Sequence, residues 1–297
     1  MSGETMNSNF DANYYATSCG RPYQRDEQWL QFFGMIAEKI KREIAPVTVL
    51  DAGCAFGFLV EQLRNAGLQA YGVDISTYAI EQVHSSIQEF CWVGSLTEPL
   101  PHQYDLIVSI EVLEHMPKDQ AEKAIQNLCM ASDDILISST PFDYKEATHW
   151  NVQVPEYWAE QFAMHAFFRD VDFDASFITP WAVRFRKRKE PVWHVIREYE
   201  RILWPLKKEN FDLRVLASET QNALREATKT IAALQTEMEQ KQINSINPEL
   251  FTSLQQELAA SLQQLQSIQA ENEAIKNSET WRILQKISQF RQKFRRK

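Results

Sequence analysis

The apolar positions along this chain change period several times, and each change marks an element. Val47, Val49 and Leu50 form a short apolar run closed by Asp51, as expected of a strand buried on both faces of a parallel sheet. Phe58, Leu59, Leu63 and Ala66 then recur at helical spacing, and Gly67 stands where a helix C-cap glycine belongs. Ala70 to Val73 predicts a second strand ending at Asp74. Further on, Tyr104 to Ser109 reads as a fourth strand and Ile110 to Met116 as a loop with a short helix. Ile135 to Ser138 reads as a fifth strand, followed by Ser139, Thr140 and Pro141. Phe168 to Arg186 holds the last two strands, and ahead of all of these Trp29, Phe32, Phe33, Ile36 and Ile40 mark a helix.

Beyond Arg186 the pattern changes. Lys187, Arg188 and Lys189 form a basic hinge, and Trp193 to Leu216 predicts a helix interrupted near Pro205. Leu213 to Gln242 contains no proline or glycine, and Asn244 to Pro248 breaks the helix. From Glu249 a heptad seam follows, with Leu258, Leu265 and Asn272 at one core position and Ser261, Ile268 and Ile275 at the other. Asparagine in such a seam fixes register, so the pattern predicts a parallel homo-oligomer, a dimer before a trimer; the alternative is a helix folded back on the first domain.

The last segment, TWRILQKISQFRQKFRRK, holds seven Lys or Arg and no acid, so within a net charge of −9 the rest of the chain carries −16. Trp281, Leu284, Ile287, Phe290 and Phe294 give it one apolar face beside a basic one. Such a helix suits an anionic membrane surface or an acidic partner such as a glycosyltransferase. The acidic body and the lack of a recognition motif argue against nucleic acid.

Composition adds limits. The 297 residues, 44% of them apolar, accommodate one α/β domain and an appendage. Cys19, Cys54, Cys91 and Cys129 lack paired metal spacing, which suits a reduced compartment. With no long apolar run and no signal-like start, the expected location is cytoplasmic, with peripheral contact on the inner face of the membrane possible through the tail.

The chemistry concentrates between Val47 and Ser76. Gly53 and Gly57 let the backbone turn and let a ligand approach the amides that open the following helix. Asp74 lies roughly where a βαβ unit places its ribose-binding acid, about 20 residues past the glycine turn. A dinucleotide needs G-x-G-x-x-G, whereas this turn reads Gly53-Cys54-Ala55-Phe56-Gly57 with Asp51 just ahead, and an acid there repels a pyrophosphate. It suits a ligand with an ammonium group and no phosphate.

With its acid, glycine turn, helix, Asp74 and EVLEH segment in this order, the chain resembles the class I S-adenosylmethionine (SAM)-dependent methyltransferases. Ala55 replaces the middle glycine often found there, and Ser95 stands where the adenine-side acid usually follows the third strand. The resemblance implies an α/β fold, a Rossmann-like seven-stranded sheet with helices on both faces. It also implies SAM as cofactor, bound by Asp51, Gly53, Cys54, Ala55, Gly57, Asp74, Ile75, Ser95, Leu96, Ile110 and Glu111. The domains expected are residues 1–190 for the methyltransferase, 191–248 for a helical linker, 249–279 for a coiled coil and 280–297 for the basic tail.

After the fifth strand, PFDYKEATHWNVQVPEYWAEQFA mixes polar groups with Phe142, Tyr144, Trp150, Tyr157 and Trp158, at the sheet edge where an acceptor pocket is expected. Aromatic faces there suit a sugar ring. His149 is the first choice for the group that takes a proton from an acceptor hydroxyl, and His115 the second. A metal held by Glu111, Glu114 and His115 is disfavoured, because their spacing does not share one helical face, so no metal is expected. Tyr14, Tyr15, Cys19, Gly20, Pro22 and Tyr23 either form a lid over the ligands or cover the sheet edge.

CGRPY, TPFDYKEATHWN, DASFITPWAVRF and VIREYERILW, within about Asn13 to Arg214, resemble bacterial methyltransferases that accompany glycosyltransferases in surface-polysaccharide assembly. That resemblance implies O-methylation of a glycan sugar, as in O-antigen or related lipopolysaccharide. The alternatives are a small-molecule O-methyltransferase of quinone type and a scaffold with a vestigial methyltransferase domain.

Overall fold

The computed structural model describes residues 9–243 and 248–277. The chain divides into two compact units, residues 1–196 and 197–297. The first carries a seven-stranded sheet in the order β3-β2-β1-β4-β5-β7-β6. Its strands are β1 (Thr48–Ala52), β2 (Gln69–Asp74), β3 (Cys91–Val93), β4 (Leu106–Ile110), β5 (Asp134–Ser138), β6 (Phe167–Arg169) and β7 (Val183–Lys187). β1 to β5 run parallel, and β7 is antiparallel to both of its neighbours. The antiparallel pair between Phe168 and Arg186 is therefore where the sequence pattern put it.

Alternation along the strands builds two apolar layers. Val49, Leu106, Val108 and Leu136 face one layer, while Leu50, Ile107, Ile135 and Ile137 face the other. On the first side lie α2 (Glu27–Glu43) and α3 (Phe58–Asn65). α2 starts at Asp26, whose carboxylate accepts the Trp29 N–H at 3.0 Å, and it buries Phe33, Ile36, Ala37 and Ile40. At about 1.5–3 kcal/mol for each large side chain, that stripe outweighs the propensity of the helix itself. On the second side lie α5 (Lys118–Ala131) and α6 (Pro155–Ala163), which bury Ile125, Leu128, Trp158 and Phe162. Two short helices, α1 (Ala12–Thr17) and α4 (Thr77–Glu81), complete this unit before the long α7 begins.

The strand order reverses between β1 and β4, which opens a crevice at their carboxyl ends. The buried Ser109 hydroxyl donates to the Ala52 carbonyl at 2.9 Å and ties the two strands together there. Above it, the Ser76 hydroxyl donates to the Phe10 carbonyl at 2.6 Å, and the Tyr23 N–H donates to the Tyr15 carbonyl at 2.7 Å. These bonds fix the N-terminal aromatic segment over the crevice.

Two long helices follow, α7 (Val192–Ile243) and α8 (Pro248–Asn277). The interruption expected near Pro205 is absent: α7 runs through it. Proline removes one backbone donor, and 52 residues of continuous helix absorb that loss. In the second unit the covered positions of α8 are Phe251, Leu254, Leu258, Ser261, Leu265, Ile268 and Asn272, the heptad seam itself. α7 carries a matching stripe, Leu213, Ala217, Thr220, Leu224, Ala227, Ile231, Leu234 and Met238. Leu254 is 6% and Ile231 7% exposed within the single chain, while Leu258, Ser261, Leu265 and Ile268 are half-buried. The side chain of Ile275 and the whole basic tail lie outside the described residues. Among the described residues no helix is long and apolar enough to cross a membrane.

Candidate functional site

The crevice is a cavity of about 880 Å³. Asp51, Gly53, Cys54, Ala55, Asp74, Ile75, Ser95, Leu96, Ile110 and Glu111 line it, together with His115 and His149. Gly57, expected among the cofactor-binding residues, is not one of the lining residues. It caps α3 at φ 72°, and a Cβ there would lie 2.9 Å from Ile87 Cδ1, so its glycine serves the turn and its packing. Gly53 does face the cavity; at φ 90°, a Cβ would fall 2.3 Å from Val112 Cγ2. Cys54 contributes backbone, since its thiol is buried in the first apolar layer.

Ala55 adopts φ 47°, a left-handed conformation that favours glycine. Its N–H donates to Asp74 Oδ2 at 2.8 Å, and the Ser76 N–H donates to Asp74 Oδ1 at 2.8 Å. Asp74 thus holds the β1 turn against the end of β2. Burial raises its pKa, and those N–H donors pull the other way. Asp51 lies close enough to feel the second carboxylate: burial, then the charge of Asp74, pushes its pKa up to about 8. Two buried acids and a glycine with no room for a Cβ fit a ligand that brings a positive charge and two ribose hydroxyls to the turn. That is the chemistry of SAM, for which Asp51 would supply the anion facing the ammonium group and Asp74 the acceptor for the ribose.

The cavity also gathers two further acids and two histidines, Glu111, Glu114, His115 and His149. Glu111, at the end of β4, sits at φ 53°, a strained conformation for a side chain of its size. The Ser138 hydroxyl and the Trp181 indole N–H, at 2.9 Å, both donate to Glu111 Oε1. Glu114 is fully buried: Oε1 accepts the Thr140 N–H at 3.2 Å, and Oε2 has no hydrogen-bond partner. Burial and the neighbouring Glu111 raise its pKa well above the usual carboxylate range. The Asn151 N–H donates to the Glu114 carbonyl at 2.9 Å, which draws the loop after β5 across this wall.

That loop brings His149 to His115, with ring centroids 4.5 Å apart. Their partners assign both tautomers. Thr148 gives its single hydroxyl hydrogen to Glu146, so Thr148 Oγ1 accepts from His115 Nδ1 at 2.8 Å. His149 Nδ1 donates to the Asp143 carbonyl at 2.8 Å. Each ring therefore keeps a lone pair on Nε2. Burial lowers the His115 pKa to about 4, so this ring is neutral at pH 7.

Phe142 and Tyr144 line the cavity as expected, whereas Trp150, Tyr157 and Trp158 do not; Trp158 is buried in the second apolar layer. Tyr14, Tyr15 and Tyr23 line it too, with Trp29, Phe32 and Phe33, which places them over the ligand space as a lid would be. Sequence reasoning missed Phe10, Thr179 and Trp181. Trp181 precedes β7 by a short turn, and its proximity to Glu111 depends on the antiparallel pairing of β7 with β5. Helical spacing does not govern metal binding at this cluster. Leu113–His115 is a 3-10 turn, and the third partner, His149, comes from a different loop, so a shared helical face is not needed.

A family model for the methyltransferase domain matches residues 23–177, just over half of the chain. The chain belongs to that family, and SAM is its cofactor. Over 98 residues it is 34% identical to the magnesium-protoporphyrin O-methyltransferase of Synechocystis sp. (strain ATCC 27184 / PCC 6803 / Kazusa), covering 31% of this chain and 43% of that protein. Over 82 residues it is 32% identical to the ubiquinone biosynthesis O-methyltransferase of Nitrosospira multiformis, covering 25% of this chain and 34% of that protein. The chain thus spans less than half the length of these relatives. A solved structure of magnesium protoporphyrin IX methyltransferase from Synechocystis PCC 6803 with bound SAM is 19% identical, with a TM-score of 0.45, covering 62% of this chain and 97% of that one.

Proposed function

We propose that the protein transfers the methyl group of SAM to a hydroxyl of a sugar, within a glycan of the bacterial surface. The observation that supports this most is the pairing of His115 and His149 in a cavity that Phe142, Tyr144 and Trp181 also line, each ring with its lone pair on Nε2. SAM supplies an electrophilic methyl group. The chain's own residues hold the donor at Asp51 and Asp74, exclude water with Tyr14, Tyr15 and Phe10, and take the proton of the acceptor hydroxyl at the histidine pair. Phe142, Tyr144 and Trp181 offer faces for the C–H side of a sugar ring, while Asp143, Lys145 and Thr179 offer polar partners for its hydroxyls.

The identity shared with a ubiquinone biosynthesis O-methyltransferase supports a second reading, a small aromatic hydroxyl as acceptor. Feeding cells SAM labelled in its methyl group, with and without the protein, separates the two. Label in O-methyl sugars of the polysaccharide supports the first reading; label in the quinone fraction alone overturns it in favour of the second. The proposed setting, at the inner face of the membrane beside glycosyltransferases, is tested by liposome flotation of the chain with and without residues 280–297. Equal flotation of the two forms overturns it.

A further inference from the structure

We propose that Glu114, His115 and His149 hold a divalent transition-metal cation of the zinc or manganese type, whose open coordination position takes the acceptor hydroxyl. The inference rests on the reading of the cavity as a site of O-methyl transfer.

Three observations carry it. One ligand atom from each of the three side chains lies within 4.8 Å of the others, a spacing that one cation can bridge. Glu114 is fully buried and, among the described residues, its Oε2 has no well-formed hydrogen bond and only the acid Glu111 as a polar side-chain neighbour that bears on it, an arrangement that costs about 1–3 kcal/mol unless something binds there. The surroundings of the histidines are those of metal ligands. His115 gives its Nδ1–H to Thr148, itself anchored on Glu146, and His149 gives its Nδ1–H to the Asp143 carbonyl, which leaves both Nε2 lone pairs for a cation. Core histidines with a packing role satisfy both ring nitrogens. Here, among the described residues, His115 Nε2 meets the Tyr14 hydroxyl at 3.4 Å, too long for a well-formed O–H···N bond, and His149 Nε2 faces the Glu146 carboxylate, which has no hydrogen to give it.

Charge points the same way. Glu111 and Asp143 line the cavity near the cluster, and Glu146 Oε2 lies 3.6 Å from His149 Nε2. Lys145 is the one cationic side chain among the lining residues, so the chain's own cations do not offset these acids. Two imidazoles and one carboxylate match the ligand set of catalytic zinc, with a fourth position open toward substrate. Nitrogen ligands disfavour magnesium, which takes oxygen in near-octahedral geometry.

With both Nε2 lone pairs on the cation, the histidines act as its ligands in place of the base: the cation lowers the pKa of the bound acceptor hydroxyl, which gives its proton to water. An oxygen electron pair then forms the new C–O bond. The C–S bond of SAM breaks with its electron pair kept on sulfur, so the sulfonium becomes a neutral thioether. The cation is neither oxidised nor reduced.

The test uses the full chain, stripped with a chelator and titrated by calorimetry with Zn²⁺, Mn²⁺ or Mg²⁺ alone. Co²⁺ serves as an absorbing probe, and SAM binding is measured on the same samples. The expected result is one Zn²⁺ per chain, much weaker Mg²⁺, and Co²⁺ bands of a nitrogen and oxygen site. His149→Ala should weaken Zn²⁺ about 100-fold or more, and Thr148→Val, which frees the His115 ring, about 10- to 100-fold, with recovery in Thr148→Ser. SAM affinity should stay within about threefold in each variant, which shows that the fold is intact. Wild-type protein that binds SAM but no Zn²⁺ overturns the inference, as does Zn²⁺ affinity unchanged in His149→Ala. Zn²⁺ binding with the expected variant pattern but no SAM binding supports the metal site and sinks the methyl-transfer reading alone.

Discussion

Trp181 donates its indole N–H to Glu111 Oε1 at 2.9 Å, joining the segment before β7 to a strained residue at the end of β4. The bond holds the Glu111 carboxylate at the boundary between the donor turn and the histidine pair. Trp181→Phe keeps the aromatic face and removes the donor. A hydrogen bond to a charged group is worth about 1.5–3 kcal/mol, so the variant should lose about 10- to 100-fold in kcat/KM for the acceptor, measured by transfer of labelled methyl. Donor affinity should change far less.

Ala55 sits at φ 47° in the turn that faces the donor. Glycine carries no Cβ penalty there, so Ala55→Gly should stabilise the protein by about 1 kcal/mol in urea unfolding. The Asp74 hydrogen bond to residue 55 uses the backbone and should persist, leaving SAM affinity within about threefold. A destabilised variant would show that the turn is not strained.

Asp51 gives a pH signature. Its pKa is raised from 3.8 to about 8 in the folded protein, so the folded state favours the protonated acid more than the unfolded chain does. Its contribution to stability is therefore full below about pH 4 and lost progressively as pH rises toward 8. Asp51→Asn removes that loss. Without donor, the variant should be more stable than wild type by about 1–3 kcal/mol at pH 8 and nearly equal to it at pH 4, by urea unfolding. A constant difference across this range would contradict the assignment.

The donor half of the site was legible because it is local. Asp51, Gly53, Ala55 and Asp74 belong to one βαβ unit, whose strand and helix periods and turn chemistry can be read along the chain. The acceptor half was only partly legible. His115 and His149 stood out as residue types, but their ring-to-ring contact depends on Asn151 drawing the loop to Glu114. Trp181 reaches the site only because β7 returns antiparallel beside β5, a long-range pairing with no local signal. Gly57 falls outside the cavity lining, since a glycine needed for packing against Ile87 and one needed for ligand approach look alike in sequence. The heptad seam of α8 was visible from Leu254 onward, while the covered stripe of α7, with Ala217, Thr220 and Ala227, is too mixed to stand out.

Ile231 tests how that seam is covered. It is 7% exposed in a single chain, so Ile231→Asp should reduce helix content by circular dichroism equally at all protein concentrations. A loss that disappears on concentrating the protein would show that a second copy supplies the cover, as the expected parallel homo-oligomer requires.

The measurement that bears most directly on the whole account is calorimetric titration of the purified chain with SAM, beside Asp51→Ala. The account predicts one SAM bound per wild-type chain and affinity reduced about 10-fold or more in the variant, because the ammonium group loses its buried anion. No binding to the wild type, or equal binding to both, would contradict it.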